Sequence, residues 1–234
     1  MKGFRHKPSE KKEEINWTKI GIVAVCVFIA VAMVISMLGY SWLNIFTQAK
    51  PGNTATVDFT FRDAQNRPIV TSILSVITQA NSSDQIMFKA ESMPVHVNVS
   101  SSDDLVPIQV VNPYSSDRVL QFGLFGPEVD MISAALDGMG VGQSKTITNP
   151  YASQMSRQMT IDQFKNISSE SFADVRIGDQ VPLAFIDQPE INLDNSTQTS
   201  YIRTATVTAR DEGNITLNYG YPTIEVTLAQ LSSN

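Results

Sequence analysis

The chain has 234 residues and a formal net charge of −6, with 23 Asp and Glu against 17 Lys and Arg. Residues 1–19 contain six basic and three acidic side chains, a charge of +3, so residues 20–234 carry −9. An acidic remainder of this size argues against a nucleic-acid-binding surface. The one cysteine, Cys26, excludes a disulfide framework, and no Cys/His spacing typical of a metal site is present.

Residues 20–43 contain no charged side chain and are mostly apolar. As a helix they would span about 36 Å, which predicts a transmembrane helix. A buried core helix is the alternative, but such helices seldom lack charge on every face. The basic flank predicts that residues 1–19 are a cytoplasmic tail. We therefore expect a single-pass protein of the cell membrane, with a linker at residues 44–53 and an extracytoplasmic C-terminal domain.

The rest of the chain contains many short alternating segments. Residues 57–61 alternate polar and apolar side chains, which predicts a half-buried strand. Further strands are predicted at 68–70, 95–99, 106–111, 118–124, 145–148, 202–209, 215–217 and 224–228. Helices are predicted at 72–78, 129–139 and 161–165. Many short strands with one packed helix indicate an α+β fold built on an antiparallel sheet.

Residues 134–147 form the most informative motif of the chain. Their sequence, Ala-Leu-Asp-Gly-Met-Gly-Val-Gly-Gln-Ser-Lys-Thr-Ile from residue 135, indicates a helix end, a glycine-containing turn and a strand. The pattern Ala-Leu-x-Gly-Met-x-Val-Gly resembles FKBP-type peptidyl-prolyl cis-trans isomerases. Residues 56–72 resemble the opening hairpin of that family. The order of residues 160–164, 175–181 and 204–217 is similar to the SlyD-like branch, which has an insert-in-flap domain.

This resemblance implies a divergent, membrane-anchored α+β protein. After the transmembrane helix, residues 54–154 and 223–231 would form an FKBP-like antiparallel sheet wrapped on a short helix. Residues 155–222 would be an inserted, small β-rich chaperone domain of the insert-in-flap type. Residues 73–118 form an insertion that the resemblance does not place.

The implied function is that of a peptidyl-prolyl isomerase and folding chaperone acting on exported polypeptides. Rotation about an X-Pro bond has a barrier of roughly 18–20 kcal/mol. A dry apolar pocket lowers this barrier by binding the twisted amide more tightly than the planar one. No metal or cofactor is expected. The expected partners are unfolded or proline-containing polypeptides and the membrane, without nucleic acid.

The pocket residues follow from the resemblance position by position. Catalytic roles are implied for Phe59, Ile69, Phe122, Val129 and Tyr151. Contacts with the substrate are implied for Leu120, Ile132 and Ile224. The alternative for each apolar position is ordinary core packing.

Several positions depart from the family pattern. Val70 stands where the family has a pocket aspartate, and Asp130, Met131 and Ser133 replace the residues that open the helix. The Asn-His-Pro motif is reduced to Asn-Tyr-Gly-Tyr-Pro at residues 218–222. These departures favour the alternative of a non-catalytic FKBP-fold module at the cell surface that binds proteins, with residues 73–118 as its interaction surface. A structural envelope protein that binds no unfolded chains is the third possibility.

Overall fold

The computed structural model describes residues 17–38, 48–80, 85–114, 118–186 and 200–232. Most of the predicted basic tail, the end of the predicted membrane span and the start of the predicted linker lie outside these residues. The chain divides into two compact units, Met1–Asn44 and Ile45–Asn234. The described residues form four helices: α1 (Trp17–Leu38), α2 (Leu74–Gln79), α3 (Gly126–Ala135) and α4 (Ile161–Ile167).

The second unit is built on one 12-stranded sheet. Its strands are β1 (Thr54–Arg62), β2 (Pro68–Thr71), β3 (Phe88–Ala90), β4 (Met93–His96), β5 (Leu105–Val111), β6 (Val119–Phe125), β7 (Ser144–Thr148), β8 (Ser156–Thr160), β9 (Gln180–Ile186), β10 (Ser200–Arg210), β11 (Asn214–Asn218) and β12 (Thr223–Ser232). Neighbouring strands follow the order β7-β12-β1-β2-β3-β5-β6-β10-β11-β8. In addition, β4 pairs with β1 and β9 pairs with β10.

The predicted fold class is wrong. The sheet is mixed rather than antiparallel, because β2 pairs with β3 and β6 pairs with β10 in parallel. Residues 73–118 contribute β3, β4 and β5, and residues 155–222 contribute β8 to β11, so both segments join the same sheet. This differs from an FKBP-like antiparallel sheet with a separate inserted domain. The exact domain boundaries stay a prediction.

The predicted transmembrane helix is also corrected. Among the residues whose side chains are described, no helix combines the length and the apolarity needed to cross a bilayer. The helix that forms in this region is α1, which begins at Trp17 and ends at Leu38.

Two groups of buried apolar side chains stabilise the sheet. The larger, which we call the first core, combines residues of β1 to β6, α3 and β12, with Phe59, Phe61, Phe122, Ile132 and Ile224 as central members. The second core combines residues of α4, β8, β9, β10 and β11 and includes a T-shaped pair of phenylalanine rings. In β1 every second side chain from residue 55 to residue 61 is buried, as the period-two pattern predicts.

Local sequence fixes both ends of α3. Phe125 is extended, Pro127 lies in the first turn, and the Glu128 carboxylate accepts a hydrogen bond from the Phe125 N–H at 2.9 Å. At the other end Gly138 adopts a positive φ of 75°, which glycine tolerates best. The Ser133 hydroxyl, in the last turn of the helix, lies 2.6 Å from the carbonyl oxygen of His96 at the end of β4 and 2.9 Å from that of Val99. The Ser133 contacts attach the end of α3 to β4 and to the segment that follows it.

Candidate functional site

Most residues assigned to the pocket by the resemblance lie together in the first core. Five of them have 0% exposure, and two are half-buried against this core. The five buried residues are Phe59 of β1, Ile69 of β2, Phe122 of β6, Ile132 of α3 and Ile224 of β12. The half-buried residues are Leu120 of β6 and Val129 of α3. Folding therefore brings these residues together, but as parts of a close-packed interior.

The ring of Phe122 is surrounded by other side chains of the protein. Its centroid lies 6.2 Å from that of Tyr221, with ring planes 25° apart, and 6.1 Å from that of Phe88. Phe88 belongs to β3, in the segment that the resemblance left unplaced. Prolyl rotation requires an apolar surface that the substrate can reach, whereas the Phe122 side chain has no exposed area. The catalytic roles of Phe122 and its core neighbours stay predictions.

Tyr151 lies apart from the other predicted pocket residues. It follows β7 in a turn, its side chain is 51% exposed, and it is not a member of the first core. Its backbone N–H donates to the Asn149 side-chain oxygen at 3.0 Å, which stabilises the turn. The phenol is therefore available to a partner at the surface.

An arginine–glutamate pair is buried where α3 meets β10. The exposed fractions of the Arg203 and Glu128 side chains are 1% and 0%, and both carboxylate oxygens accept hydrogen bonds from the guanidinium at 2.9 Å. The guanidinium also donates to the carbonyls of Gly123 at 2.7 Å and Tyr219 at 2.9 Å. Its central carbon lies 4.3 Å from the Phe125 ring centroid, within cation–π range. The Arg203 side chain of β10 thus connects β6 and the segment that follows β11 with the start of α3.

Burial affects the ionisation of Arg203 and of the neighbouring Tyr221. Burial lowers the pKa of Arg203, but the Glu128 carboxylate and other neighbours raise it, and the net direction is upward. Arg203 therefore remains charged. Burial raises the pKa of Tyr221, whose ring centroid lies 4.5 Å from the guanidinium carbon. Its hydroxyl donates to the Thr204 carbonyl at 2.9 Å.

We expect the stability of the protein to fall as the pH rises above about 10. Below that pH Tyr221 is protonated in both states. Above it the unfolded chain releases this proton while the folded protein keeps it, so unfolding is favoured by about 1.4 kcal/mol per pH unit. Urea unfolding at pH 8, 10 and 11 measures this slope. Tyr221→Phe should reduce the slope by the contribution of one proton, and an unchanged slope would contradict the assignment.

The sequence analysis did not identify this ion pair, although weak signals exist. Glu128 follows a proline and directly precedes the helix predicted at residues 129–139, in the region where a glutamate commonly caps the first turn. Arg203 interrupts a strand of apolar and Thr residues, and a lone charge in such a strand indicates a buried partner. The sequence could not show that these two residues, 75 positions apart, belong together.

A second polar junction connects the β1–β2 turn with the strands of the second core. The buried Asp63 carboxylate accepts a hydrogen bond from Arg67 Nε at 2.7 Å and from the Gln180 amide at 3.3 Å. The Gln180 side-chain oxygen accepts from the Ile86 N–H at 2.9 Å. The start of β9 is therefore fixed to the hairpin of β1 and β2.

Four strands end the sheet among the described residues, and three of them are poorly suited to bind another strand. β4 contains Pro94 and β9 contains Pro182. Proline lacks an N–H donor and is typical of protected sheet edges. In β8 the N–H of Ser156 donates to the Gln154 carbonyl at 2.8 Å, and that of Thr160 donates to the Gln163 side chain at 3.0 Å. These contacts leave β8 a single outward N–H, that of Gln158, by the alternation of the ladder.

The fourth strand, β7, has an open edge. The residues on either side of β7 form hydrogen bonds toward β12. The Gln143 carbonyl accepts a hydrogen bond from the Leu228 N–H at 3.0 Å, and the Asn149 N–H donates to the carbonyl of Pro222, which directly precedes β12, at 2.8 Å. Alternation along the strand then directs the N–H and C=O groups of Ser144, Thr146 and Thr148 away from β12. Among the described residues no strand pairs with these groups. We call these three donors and three acceptors the open edge.

A shallow groove of about 140 Å³ lies on the other part of the sheet, between β3 and β5. Its lining combines three valines and an alanine with a lysine, a glutamate and a glutamine. The lining residues are Lys89, Ala90, Glu91, Gln109, Val110, Val111 and Val119. The groove is far smaller than the 300–1,000 Å³ typical of small-molecule sites.

Comparison with family models of known proteins gives no match, and comparison with curated proteins gives none either. For the part of the chain that the structure describes, no group of three or more His, Cys, Asp or Glu side chains is placed to hold a metal ion. The arguments about function therefore depend on the geometry of the sheet and on the residues given above.

Proposed function

We propose that this protein is a folding factor that binds extended polypeptide segments by strand addition at β7. The observation that carries the proposal is the open edge, with its three donors and three acceptors on consecutive outward positions. An added strand satisfies main-chain groups of this kind whatever its sequence. Such binding suits a protein that acts on many unfolded chains.

The surroundings of the open edge support polypeptide binding. Ile147, the fourth of the five residues of β7, is half-buried against the first core, so part of its side chain is available to a neighbouring strand. The exposed ring of Tyr151 lies four residues further along the chain. A docked segment can therefore gain apolar contacts in addition to main-chain hydrogen bonds.

A proline scan of two edge strands tests the proposal. Thr146→Pro removes the central outward N–H of β7 without removing a bond to β12, because that N–H points away from β12. We expect this change to lower the affinity for a reduced, carboxymethylated unfolded protein at least ten-fold. The measurement is fluorescence anisotropy of the labelled unfolded protein with the full-length chain.

The matched control is Gln158→Pro, which removes the corresponding central N–H of the five-residue strand β8. This variant should bind as the unmodified chain does. Thermal unfolding of both variants shows whether each remains folded, and Thr148→Pro replaces Thr146→Pro if the latter does not. Equal affinities of the β7 and β8 variants would contradict strand addition at β7.

Prolyl isomerisation is the second candidate function. It is favoured by the convergence of the predicted pocket residues on one apolar cluster, with Leu120 and Val129 at its half-exposed border. Acceleration of cis-trans exchange in a proline peptide would support it, provided that Leu120→Ala slows the exchange without unfolding the protein. A folding factor that acts only by strand addition would suppress aggregation of the unfolded protein and leave the exchange rate unchanged.

Two further expectations concern location and partners. The location at the cell membrane, with the C-terminal part outside the cytoplasm, stays a prediction. Unfolded or proline-containing polypeptides are the proposed partners. The charge of −9 on residues 20–234 makes nucleic acid an unfavourable one.

A further inference from the structure

The two faces of β7 differ in chemistry. On the outer face Ser144, Thr146 and Thr148 lie beside polar residues of β12, and the Ser144 hydroxyl is 2.8 Å from that of Thr227. The opposite face of β7 carries Lys145 and Ile147 and is continuous with the first core. A strand added to β7 would extend both faces, because side chains alternate across a strand.

The inner face continues two rows of side chains that cross the sheet. One row runs from Phe61 through Ile224 to Ile147, and all three contribute to the first core or pack against it. The next member of this row would be a side chain of the added strand. Apolar side chains satisfy this position best, because they extend an existing apolar contact.

The other row runs from Phe59 through Val226 to Lys145 and ends in a positive charge. Lys145 is exposed, and its ammonium donates to the Ala135 carbonyl at the end of α3, at 3.3 Å. A carboxylate on the added strand directly opposite would form a cross-strand pair of opposite charge. Residues 20–234 carry a net charge of −9, so the positive charge of Lys145 is the local feature of this face that attracts a carboxylate.

We infer that the segments bound at the open edge carry an apolar residue opposite Ile147 and, two positions further on, an acidic residue opposite Lys145. In an antiparallel strand this gives the order apolar–x–acidic. Small polar residues such as Ser and Thr suit the intervening positions, which face the polar outer side. This inference rests on the proposed strand addition at β7 and specifies the class of polypeptide that binds there.

Three labelled eight-residue peptides test the inference with the full-length chain. The first has Ile and Glu two positions apart in a Thr/Ser background. The second has Lys in place of Glu. The third has the composition of the first but places Ile and Glu next to each other, so that they cannot share one face in any register. We expect the first to bind about three-fold more tightly than the third, which can place only one of its two side chains correctly, and about ten-fold more tightly than the second, whose Lys lies opposite Lys145.

A charge exchange separates this specificity from nonspecific attraction. Lys145→Glu should reverse the preference between the Glu and Lys peptides, and 1 M NaCl should reduce it in both proteins. Thermal unfolding shows that the variant remains folded. Equal binding of all three peptides, with binding still lost in Thr146→Pro, would overturn the inference and leave strand addition intact. Binding that Thr146→Pro does not weaken would overturn both.

Discussion

Replacing Arg203 with methionine is expected to lower the free energy of unfolding by about 3–5 kcal/mol. The substitution leaves the Glu128 carboxylate, with 0% exposure, without its positive partner in the protein interior. It also removes the donors to the carbonyls of Gly123 and Tyr219. Urea denaturation followed by circular dichroism measures the loss.

A double variant separates the charge effect from the packing effect. Arg203→Met combined with Glu128→Leu removes both charges, so no uncompensated ion remains buried. The double variant should be more stable than Arg203→Met alone, although the helix cap on Phe125 is lost. A double variant as unstable as the sum of the two single variants would show that the pair is not energetically coupled.

Phe59→Ala is expected to destabilise the protein by about 3–5 kcal/mol. The Phe59 side chain has no exposed area, and its ring packs edge-on against Phe61 with centroids 5.7 Å apart. Truncation would leave a cavity in the centre of the first core. Thermal and chemical denaturation of the variant test this result.

Tyr151→Ala is the control for the predicted pocket as a whole. Its side chain is 51% exposed, so we expect a change within about 0.5 kcal/mol. A pocket residue that only contacts substrate would affect binding and leave stability unchanged. If Phe59→Ala proved as stable as Tyr151→Ala, the close packing around Phe59 would be wrong and the pocket hypothesis would gain support.

Periodicity in the sequence predicted most individual elements well. The strand predicted at residues 57–61 lies within β1, the one at 106–111 within β5, and the one at 224–228 within β12. These predictions succeeded because alternation of polar and apolar residues is a local property. The helix predicted at residues 129–139 is present in part: α3 begins earlier, at Gly126, where Glu128 provides the cap, and it ends at Ala135, four residues before the predicted end.

The fold class could not be obtained in the same way, because it depends on pairing between distant strands. The parallel bridge between Ile202 and Phe122 joins segments 80 positions apart, and neither segment differs from an ordinary strand in its pattern. Residues 88–90 are too short for a visible period, yet β3 connects β2 with β5 and places Phe88 against Phe122. The same pattern of buried apolar residues is compatible with a cleft or with a filled core.

The open edge of β7 could not be predicted from the sequence for a related reason. The alternation in residues 145–148 predicted β7, but only the ladder shows which neighbour it has. Ile147 and Lys145 were assigned no role from the sequence, because a side chain beside an unpaired main chain looks like any other strand residue. Tyr151 was assigned to the pocket by resemblance, whereas its side chain is exposed after β7 and lies outside the first core.

The protected margins of β4, β8 and β9 set a limit on self-assembly. A molecule with several open margins can recruit one copy on each and grow into a ribbon. Among the strands that the structure describes, β7 has the open margin, so two copies that pair β7 against β7 leave no such margin from which a ribbon could grow. We therefore expect a stoichiometry of one bound segment per chain, and we expect the protein to remain soluble while its unfolded partners would otherwise polymerise.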